Sequence, residues 1–237
     1  MYPGDATGKA RLRSERDCFM SREARICSYR LRYNQNPHAI SRPSIAMTDY
    51  NICTGTPTVE VLHLGKPVTI QREQDPSATI RTDYAVTARK CPPYCIQPIQ
   101  LGQGVETLGE LEVLDCLKRI REGESKLTVV DSRTPDWYAK GTIPGAVNIP
   151  YAQNMAGLAT DLPGVKKTLT ELFGVRETAG TYDFSSAHTL AIFCNGPWCG
   201  QTPNYIRTLL ALGYPAGKLK WYRGGMQDWC SLGLTVI

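Results

Sequence analysis

Short, mostly apolar runs recur in the C-terminal half of the chain, at residues 127–130, 189–193 and 219–222. Apolar runs of this length, bounded by turn-forming residues, are typical of buried β-strands. The second run leads directly into Cys194. We therefore predict three strands of a buried sheet, with a cysteine at the end of one of them.

Between these strands the apolar residues are spaced three or four positions apart, which indicates helices that pack by one face. Thr107 and Glu110 have the spacing of a capping box, and Gly123 is the predicted end of the helix that follows. The predicted buried face of this helix consists of Leu111, Leu114, Leu117 and Ile120.

Further helical segments are predicted downstream. Thr202 precedes Pro203, which favours Thr202 as the N-cap of a helix that ends at Gly213. A helical patch surrounds residues 169–173, and a last short helix covers residues 225–232. Strands that alternate with helices favour parallel pairing. The predicted fold class is therefore α/β, with a central, mainly parallel sheet and helices on both faces.

The N-terminal part of the chain has a different pattern. Residues 58–63 and 67–72 alternate between apolar and polar positions around a turn at 64–66, which predicts a β-hairpin. We predict three regions: a basic, disordered extension at 1–46, a small β-rich unit at 47–104 and the α/β domain at 105–237.

The charge distribution argues against a nucleic-acid-binding surface. The formal net charge is +5, and residues 1–46 alone carry nine Lys or Arg against four Asp or Glu. The remainder of the chain is therefore neutral, without the excess of basic residues that a folded nucleic-acid interface needs.

Composition and cysteine usage suggest a cytoplasmic protein. No apolar run approaches the roughly 18 residues that a membrane span requires, and no secretory signal is evident. The nine cysteines are odd in number and scattered, unlike those of small disulfide-rich secreted domains. A cytoplasmic location with mostly free thiols is predicted.

The chemistry of the chain is predicted to centre on Cys194. The cysteine ends a strand, a loop containing glycine and proline follows, and a helix then begins. Loop amides and a helix N-terminus favour negative charge, so we expect them to lower the pKa of the Cys194 thiol. A buried structural cysteine is the alternative. The loop residues predicted to contact substrate are Asn195, Gly196, Trp198, Gly200, Gln201 and Thr202.

Five segments, in the same order, resemble the rhodanese-like sulfurtransferase family. Residues 141–150 read Gly-Thr-Ile-Pro-Gly-Ala-Val-Asn-Ile-Pro, which is close to a family segment that has His in place of Thr142. The similar segments lie at 129–133, 141–150, 191–194, 213–214 and 221–229.

The resemblance covers residues 105–237 and implies a three-layer rhodanese-like fold. It also implies transfer of sulfane sulfur through a persulfide on Cys194. In this fold Asp131 and Arg133 would position the loop or form a structural ion pair. Arg223 would lie beside the loop, as an oxyanion contact or in a salt bridge or helix cap.

The chain departs from the family pattern in its active-site loop. The loop is about two residues longer than is common, contains no basic residue and carries a second thiol, Cys199. The missing guanidinium counts against rapid use of thiosulfate and against a phosphatase. Cys199 is a candidate catalytic residue that would attack a Cys194 persulfide and form a disulfide. A solvent-facing loop thiol is the alternative reading of Cys199.

Cys91 and Cys95 form a second close pair, for which we expect a structural turn with buried thiols. A redox pair that accepts sulfur from Cys194 is an alternative. A metal site is the least favoured alternative and is not predicted, because no His or further Cys pair lies at zinc-binding spacing.

The sequence thus predicts a sulfurtransferase that needs no cofactor. Its predicted partners are a small sulfur-donor anion, such as thiosulfate or a persulfide, and a thiol acceptor, which is a small molecule or a protein. Two rivals remain: a non-catalytic rhodanese-fold binding or regulatory module, and a thiol–disulfide oxidoreductase that uses Cys194 and Cys199.

Overall fold

The computed structural model describes residues 50–151 and 162–237, which belong to one compact unit. The predicted disordered extension at 1–46 lies outside the described residues. The strands are β1 (Thr58–His63), β2 (Lys66–Gln71), β3 (Glu106–Leu108), β4 (Leu127–Asp131), β5 (Val147–Asn148), β6 (Arg176–Thr178), β7 (Thr181–Asp183), β8 (Thr189–Phe193) and β9 (Leu219–Tyr222). The α-helices are α1 (Thr82–Ala85), α2 (Glu110–Arg121), α3 (Pro135–Ala139), α4 (Leu162–Lys167), α5 (Gln201–Ala211) and α6 (Gly225–Ser231).

The centre of the fold is a five-stranded parallel sheet in the order β3-β9-β8-β4-β5. The three strands predicted from apolar runs are β4, β8 and β9, and they are neighbours in the middle of the sheet. Their residues are almost all buried, as expected for parallel strands that are covered on both faces. The prediction of an α/β fold with a central parallel sheet is confirmed.

Side chains of β8 alternate between two hydrophobic cores, one on each face of the sheet. Leu190 and Ile192 lie in a core with the buried face of α5 and a π-helical turn at Thr168–Leu172. Ala191 and Phe193 lie in the other core, with α2 and α6. Successive side chains of a strand point to opposite faces, so one apolar strand serves both cores. Cys194, which follows Phe193, therefore emerges from the best-buried part of the sheet.

The predicted N-terminal hairpin is present as the antiparallel strands β1 and β2. Leu64 and Gly65 both have positive φ, as the two-residue hairpin turn requires, and the return strand starts at Lys66. Val61 and Ile70 are buried in the same core as α2 and α6. The hairpin thus contributes side chains to the core of the domain, while the boundary at residue 104 stays a prediction.

The predicted start of helix α2 is wrong. Thr107 lies in strand β3, and its hydroxyl donates to the carbonyl of Ile99 instead of capping a helix. The N-cap is Gly109, whose N–H donates to the carboxylate of Glu112 at 3.0 Å. Leu111 was predicted to be buried but is exposed. The buried face of the helix consists instead of Val113, Leu114, Cys116 and Leu117.

Candidate active site

The loop at 194–200 connects the central strand β8 to helix α5. The first turn of helix α6 packs against this loop and donates backbone hydrogen bonds to it. The N–H of Met226 donates to the carbonyl of Cys194 at 3.0 Å, and the N–H of Gln227 donates to that of Asn195 at 2.9 Å. Gly225 has a positive φ, and a Cβ there would overlap the Cys194 carbonyl oxygen. A glycine at position 225, the first residue of α6, is therefore required for this close approach of two backbones.

The predicted cap of helix α5 is wrong, because the helix begins at Gln201 and Thr202 lies inside its first turn. The Thr202 hydroxyl is engaged elsewhere, 2.8 Å from the hydroxyl of Ser132. Ser132 in turn donates to the carbonyl of Phe193, at the end of β8. Gly200 is the N-cap and makes no side-chain cap. The first turn of α5 is therefore tied directly to the ends of β4 and β8.

The sulfur atoms of Cys194 and Cys199 lie together inside this loop. Cys194 Sγ is 3.6 Å from the Cys199 carbonyl oxygen, and the N–H of Thr202 is directed at the Cys194 sulfur. The N–H groups of Asn195 and Gln201 are directed at the Cys199 sulfur. The sequence predicts N–H groups of the loop and of the helix N-terminus around the Cys194 sulfur. In the structure such groups surround the sulfurs of both thiols, and we call this arrangement the cup.

The two thiols have pKa values displaced in opposite directions. Burial raises the pKa of Cys194 well above its usual value, and Cys199 reinforces this rise, while the N–H of Thr202 opposes it. The hydrogen bond from Cys194 lowers the pKa of Cys199 to about 7, aided by the two loop amides and the charge of Arg133. The expectation of a lowered pKa at Cys194 is therefore wrong. The cup stabilises one negative charge, and Cys199 is the thiol that holds it first.

Both thiols are also nearly closed off from solvent, with 3% of Cys194 and 6% of Cys199 exposed. Cys199 is therefore not the solvent-facing loop thiol of the alternative reading. A reactant can reach either sulfur only when part of its surroundings moves.

Asp131 and Arg133 form a fully buried ion pair behind the loop. The Arg133 guanidinium donates to both carboxylate oxygens of Asp131, at 2.6 to 3.1 Å, and to the carbonyl of Gly141 at 2.7 Å. It also donates to the hydroxyl of Tyr84 at 2.9 Å. Thr142, which replaces the family's usual His, donates to Asp131 at 2.8 Å. The pair has no exposed surface, and its connection to the loop runs through Tyr84, whose hydroxyl donates to Asn195.

The loop is covered from outside by residues 84–97, which we call the cover segment. The Tyr84 hydroxyl donates to Asn195 Oδ1 at 3.4 Å, and the N–H of Gln97 donates to the carbonyl of Pro197 at 2.8 Å. The ring of Trp198 packs against Tyr94, with ring centroids 5.6 Å apart. The sequence gave no signal of this cover, because the segment has no periodicity and its contacts reach about a hundred residues along the chain.

Cys91 and Cys95 are joined by a disulfide in the middle of the cover segment. The expectation of buried thiols is therefore wrong: Cys91 is exposed and Cys95 is half-buried. The bond closes a turn that presents Tyr94 to Trp198. It therefore helps to shape the side of the cover segment that faces the active-site loop.

Arg223 is half-buried and occupied by the cover segment. Its Nε and one terminal nitrogen donate to the carbonyl of Gln97 at 3.3 and 2.9 Å. The observed contacts of Arg223 thus anchor the cover segment, and its predicted oxyanion contact stays a prediction. Trp198 is fixed on its other side, where its indole N–H donates to the side chain of Gln227. Gly196 accepts the N–H of Cys199 at 2.9 Å and leaves room for these side chains.

Across residues 50–151 and 162–237, no group of three His, Cys, Asp or Glu side chains is arranged to hold a metal ion. Helices in the same two ranges all lack the combined length and apolar character needed to cross a membrane.

Parts of this chain are similar to several known proteins. An HTH-type transcriptional regulator of Mycobacterium tuberculosis is 30% identical over 122 residues, which are 52% of this chain and 42% of that protein. The chain thus spans less than half the length of this relative. A human single-domain sulfurtransferase is 22% identical, with a TM-score of 0.34 over 53% of this chain and 95% of that one. A Rhodopseudomonas palustris protein of unknown function, described as a possible tyrosine phosphatase, is 17% identical, with a TM-score of 0.41 over 58% of this chain and 88% of that one.

The profile of the rhodanese-like domain matches residues 113–232, which include four of the five strands of the central sheet, the loop with both thiols and helix α6. This match covers half of the chain and agrees with the order of strands around Cys194. The chain belongs to the rhodanese-like domain family.

Proposed function

We propose that this protein is a sulfurtransferase that moves sulfane sulfur from a donor to a thiol acceptor through a persulfide on Cys194. The observation that carries the proposal is the position of the Cys194 sulfur, at the end of the central strand and faced by the N–H of Thr202 in the first turn of α5. This donor would stabilise the negative charge of a thiolate or persulfide. Membership of the rhodanese-like family supports the same chemistry.

The reaction begins with a proton transfer between the two thiols. The Cys194 S–H gives its proton to the Cys199 thiolate, which is formed at about pH 7. The Cys194 thiolate then attacks the sulfane sulfur of thiosulfate, a new S–S bond forms, and sulfite leaves with the electron pair of the broken bond. An acceptor thiolate next attacks the outer sulfur of the persulfide and releases the Cys194 thiolate. Atoms and electrons balance without a cofactor.

Cys199 also offers a second route out of the persulfide. Its thiolate attacks the Cys194 sulfur, hydrogen sulfide leaves and a Cys194–Cys199 disulfide forms, which an external thiol must reduce. The contact between the two sulfurs favours thiol–disulfide oxidoreductase activity as the second candidate function. A reducing compartment such as the cytoplasm is proposed, because both routes consume free thiols.

A regulatory module is the remaining candidate, and two observations favour it. The HTH-type regulator among the relatives is named for transcriptional control, and both thiols here are almost fully buried. In that case the rhodanese-like domain would bind a partner without turnover. Under the proposed enzymatic function, the cover segment or the loop must open for the donor to enter.

Intact-mass measurement after incubation with thiosulfate separates these functions. A sulfurtransferase gains about 32 Da, the mass of one sulfur, which is removed by dithiothreitol. The Cys194→Ser variant loses this gain and Cys199→Ser retains it. A loss of two protons in the wild type, with no gain of about 32 Da in Cys199→Ser, identifies the oxidoreductase. Absence of both changes, with the fold intact by circular dichroism, rules out both chemistries and leaves the binding module.

A further inference from the structure

The active-site loop brings no positive charge to an anionic sulfur donor, so any such charge must come from elsewhere in the chain. Two nearby arginines are already committed. Arg133 is neutralised by Asp131 and its donors are bound within the core. Arg223 donates to the backbone of the cover segment.

Arg89, in the cover segment, is placed against the same loop and is differently engaged. Its guanidinium carbon lies 3.6 Å from the centroid of the Trp198 ring, a cation–π contact with the loop itself. One terminal nitrogen donates to the carbonyl of Asp83 at 3.2 Å. Within the described parts of the chain, its Nε is buried without a hydrogen-bond partner and no carboxylate forms an ion pair with it.

This arrangement leaves an unsatisfied charged donor at the edge of the active-site loop. A buried donor without an acceptor is unfavourable, because the group loses its hydration and gains nothing in return. A stacking role alone would not require it, since a guanidinium stacks equally well with its edge bonded to an acceptor. A planar edge with Nε and a terminal nitrogen fits two oxygens of one oxyanion.

We infer that Arg89 binds the oxyanion of the sulfur donor and so selects anionic donors of the thiosulfate type. This inference rests on the proposed function and names the residue that binds its anionic donor. The cover segment supplies, from outside the loop, the guanidinium that the loop lacks. A sulfonate seated between the cover segment and the loop gives Arg89 Nε its missing acceptor, with Trp198 holding the guanidinium in place.

Steady-state kinetics with two donors provide the test. Arg89→Gln removes the charge and Arg89→Lys keeps it without the planar edge, while Lys90→Gln removes an exposed neighbouring charge as the matched control. For thiosulfate, we expect KM to rise about 10-fold to 100-fold in Arg89→Gln and less in Arg89→Lys, with kcat little changed. For an uncharged organic trisulfide we expect no change. Equal KM values for thiosulfate in wild type and Arg89→Gln overturn the inference, as does an equal loss with both donors.

A binding measurement separates this inference from the proposed function. Sulfite is titrated calorimetrically into the full-length Cys194→Ser protein, with and without Arg89→Gln. Weaker sulfite binding on loss of Arg89, with Lys90→Gln unaffected, supports the oxyanion site even if the wild type never forms a persulfide. The inference is overturned if sulfite binding to Cys194→Ser is undetectable while the wild type turns over thiosulfate. It is also overturned if adding Arg89→Gln to Cys194→Ser leaves sulfite binding unchanged, because the oxyanion then binds elsewhere.

Discussion

Replacing Cys194 by alanine tests the electrostatic arrangement of the two thiols. The largest cause of the lowered pKa of Cys199 is the hydrogen bond from Cys194, and the value falls from 9.0 to about 7. Two pKa units correspond to about 2.7 kcal/mol of preference for the thiolate. Since alanine has no donor, we expect the pKa of Cys199 to rise by about one unit or more in Cys194→Ala.

The consequence at neutral pH is large enough to measure. At pH 7 the ionised fraction of Cys199 falls from about one half to between about a tenth and a hundredth, for a rise of one to two units. The higher nucleophilicity of the more basic thiolate offsets part of this loss, so the alkylation rate is a less direct measure than the pKa itself. The inflection of the rate against pH therefore carries the test.

The assay follows iodoacetamide labelling of the Cys199 peptide by mass spectrometry. The pH is varied from about 5.5 to about 10, a range that spans the pKa values of Cys199 expected in the wild type and in Cys194→Ala. Below its pKa the thiol is protonated and unreactive, so the wild-type rate should rise through about pH 7. Cys194→Ser is the matched control, because its hydroxyl still donates to Cys199 and should keep the inflection low. Identical inflections in Cys194→Ala and Cys194→Ser would refute the assignment of the shift to this hydrogen bond. Opening of the cover segment changes the rate but leaves the inflection in place.

Three further predictions concern the parts that hold the loop. Arg133→Met leaves a buried carboxylate without its partner, and urea and thermal unfolding should show a loss of about 3–5 kcal/mol and about 6–20 °C; a loss below about 1 kcal/mol, as for a surface pair, contradicts the buried ion pair. Gly225→Ala forces a side chain onto the strand-end carbonyl at positive φ, and should cost at least about 2 kcal/mol, whereas Gly217→Ala meets no neighbouring atom and should cost far less; equal costs would contradict the close approach. Replacing Cys91 and Cys95 together by serine releases a five-residue ring worth up to about 2 kcal/mol, so labelling of the loop thiols should accelerate by up to about 30-fold; an unchanged rate would mean that the cover segment does not control access.

The sequence was sufficient for the three central strands of the sheet and for the position of Cys194. The mostly apolar runs of β4, β8 and β9 predict strands because strands buried on both faces need apolar residues at almost every position. Their alternation with helices determined parallel pairing, since parallel strands need long crossover connections. The local rule that ligands bind at the carboxyl ends of such strands then selected the loop after β8.

Features that depend on which of several possible partners a residue contacts could not be predicted in this way. Thr107 and Thr202 have the local spacing of caps, but each hydroxyl is taken by a partner that folding brings near. The pKa of Cys194 was predicted from its donors, whereas its burial and the neighbouring Cys199 outweigh them. Local patterns report which interactions are available, and tertiary packing decides which of them are made.

The local sequence pattern thus determined the three central strands and the positions of Cys194 and Cys199 in the loop that follows one of them. It could do so because hydrophobic periodicity and turn residues act over a few positions. Only the tertiary structure decided which thiol holds the negative charge, how deeply both are buried and that residues 84–97 cover them. Arg89 illustrates the difference: its sequence context is an unpatterned turn, and its position against Trp198 joins residues more than a hundred positions apart. Burial and electrostatics depend on everything that surrounds a group in space, and most of those surroundings are remote in the chain.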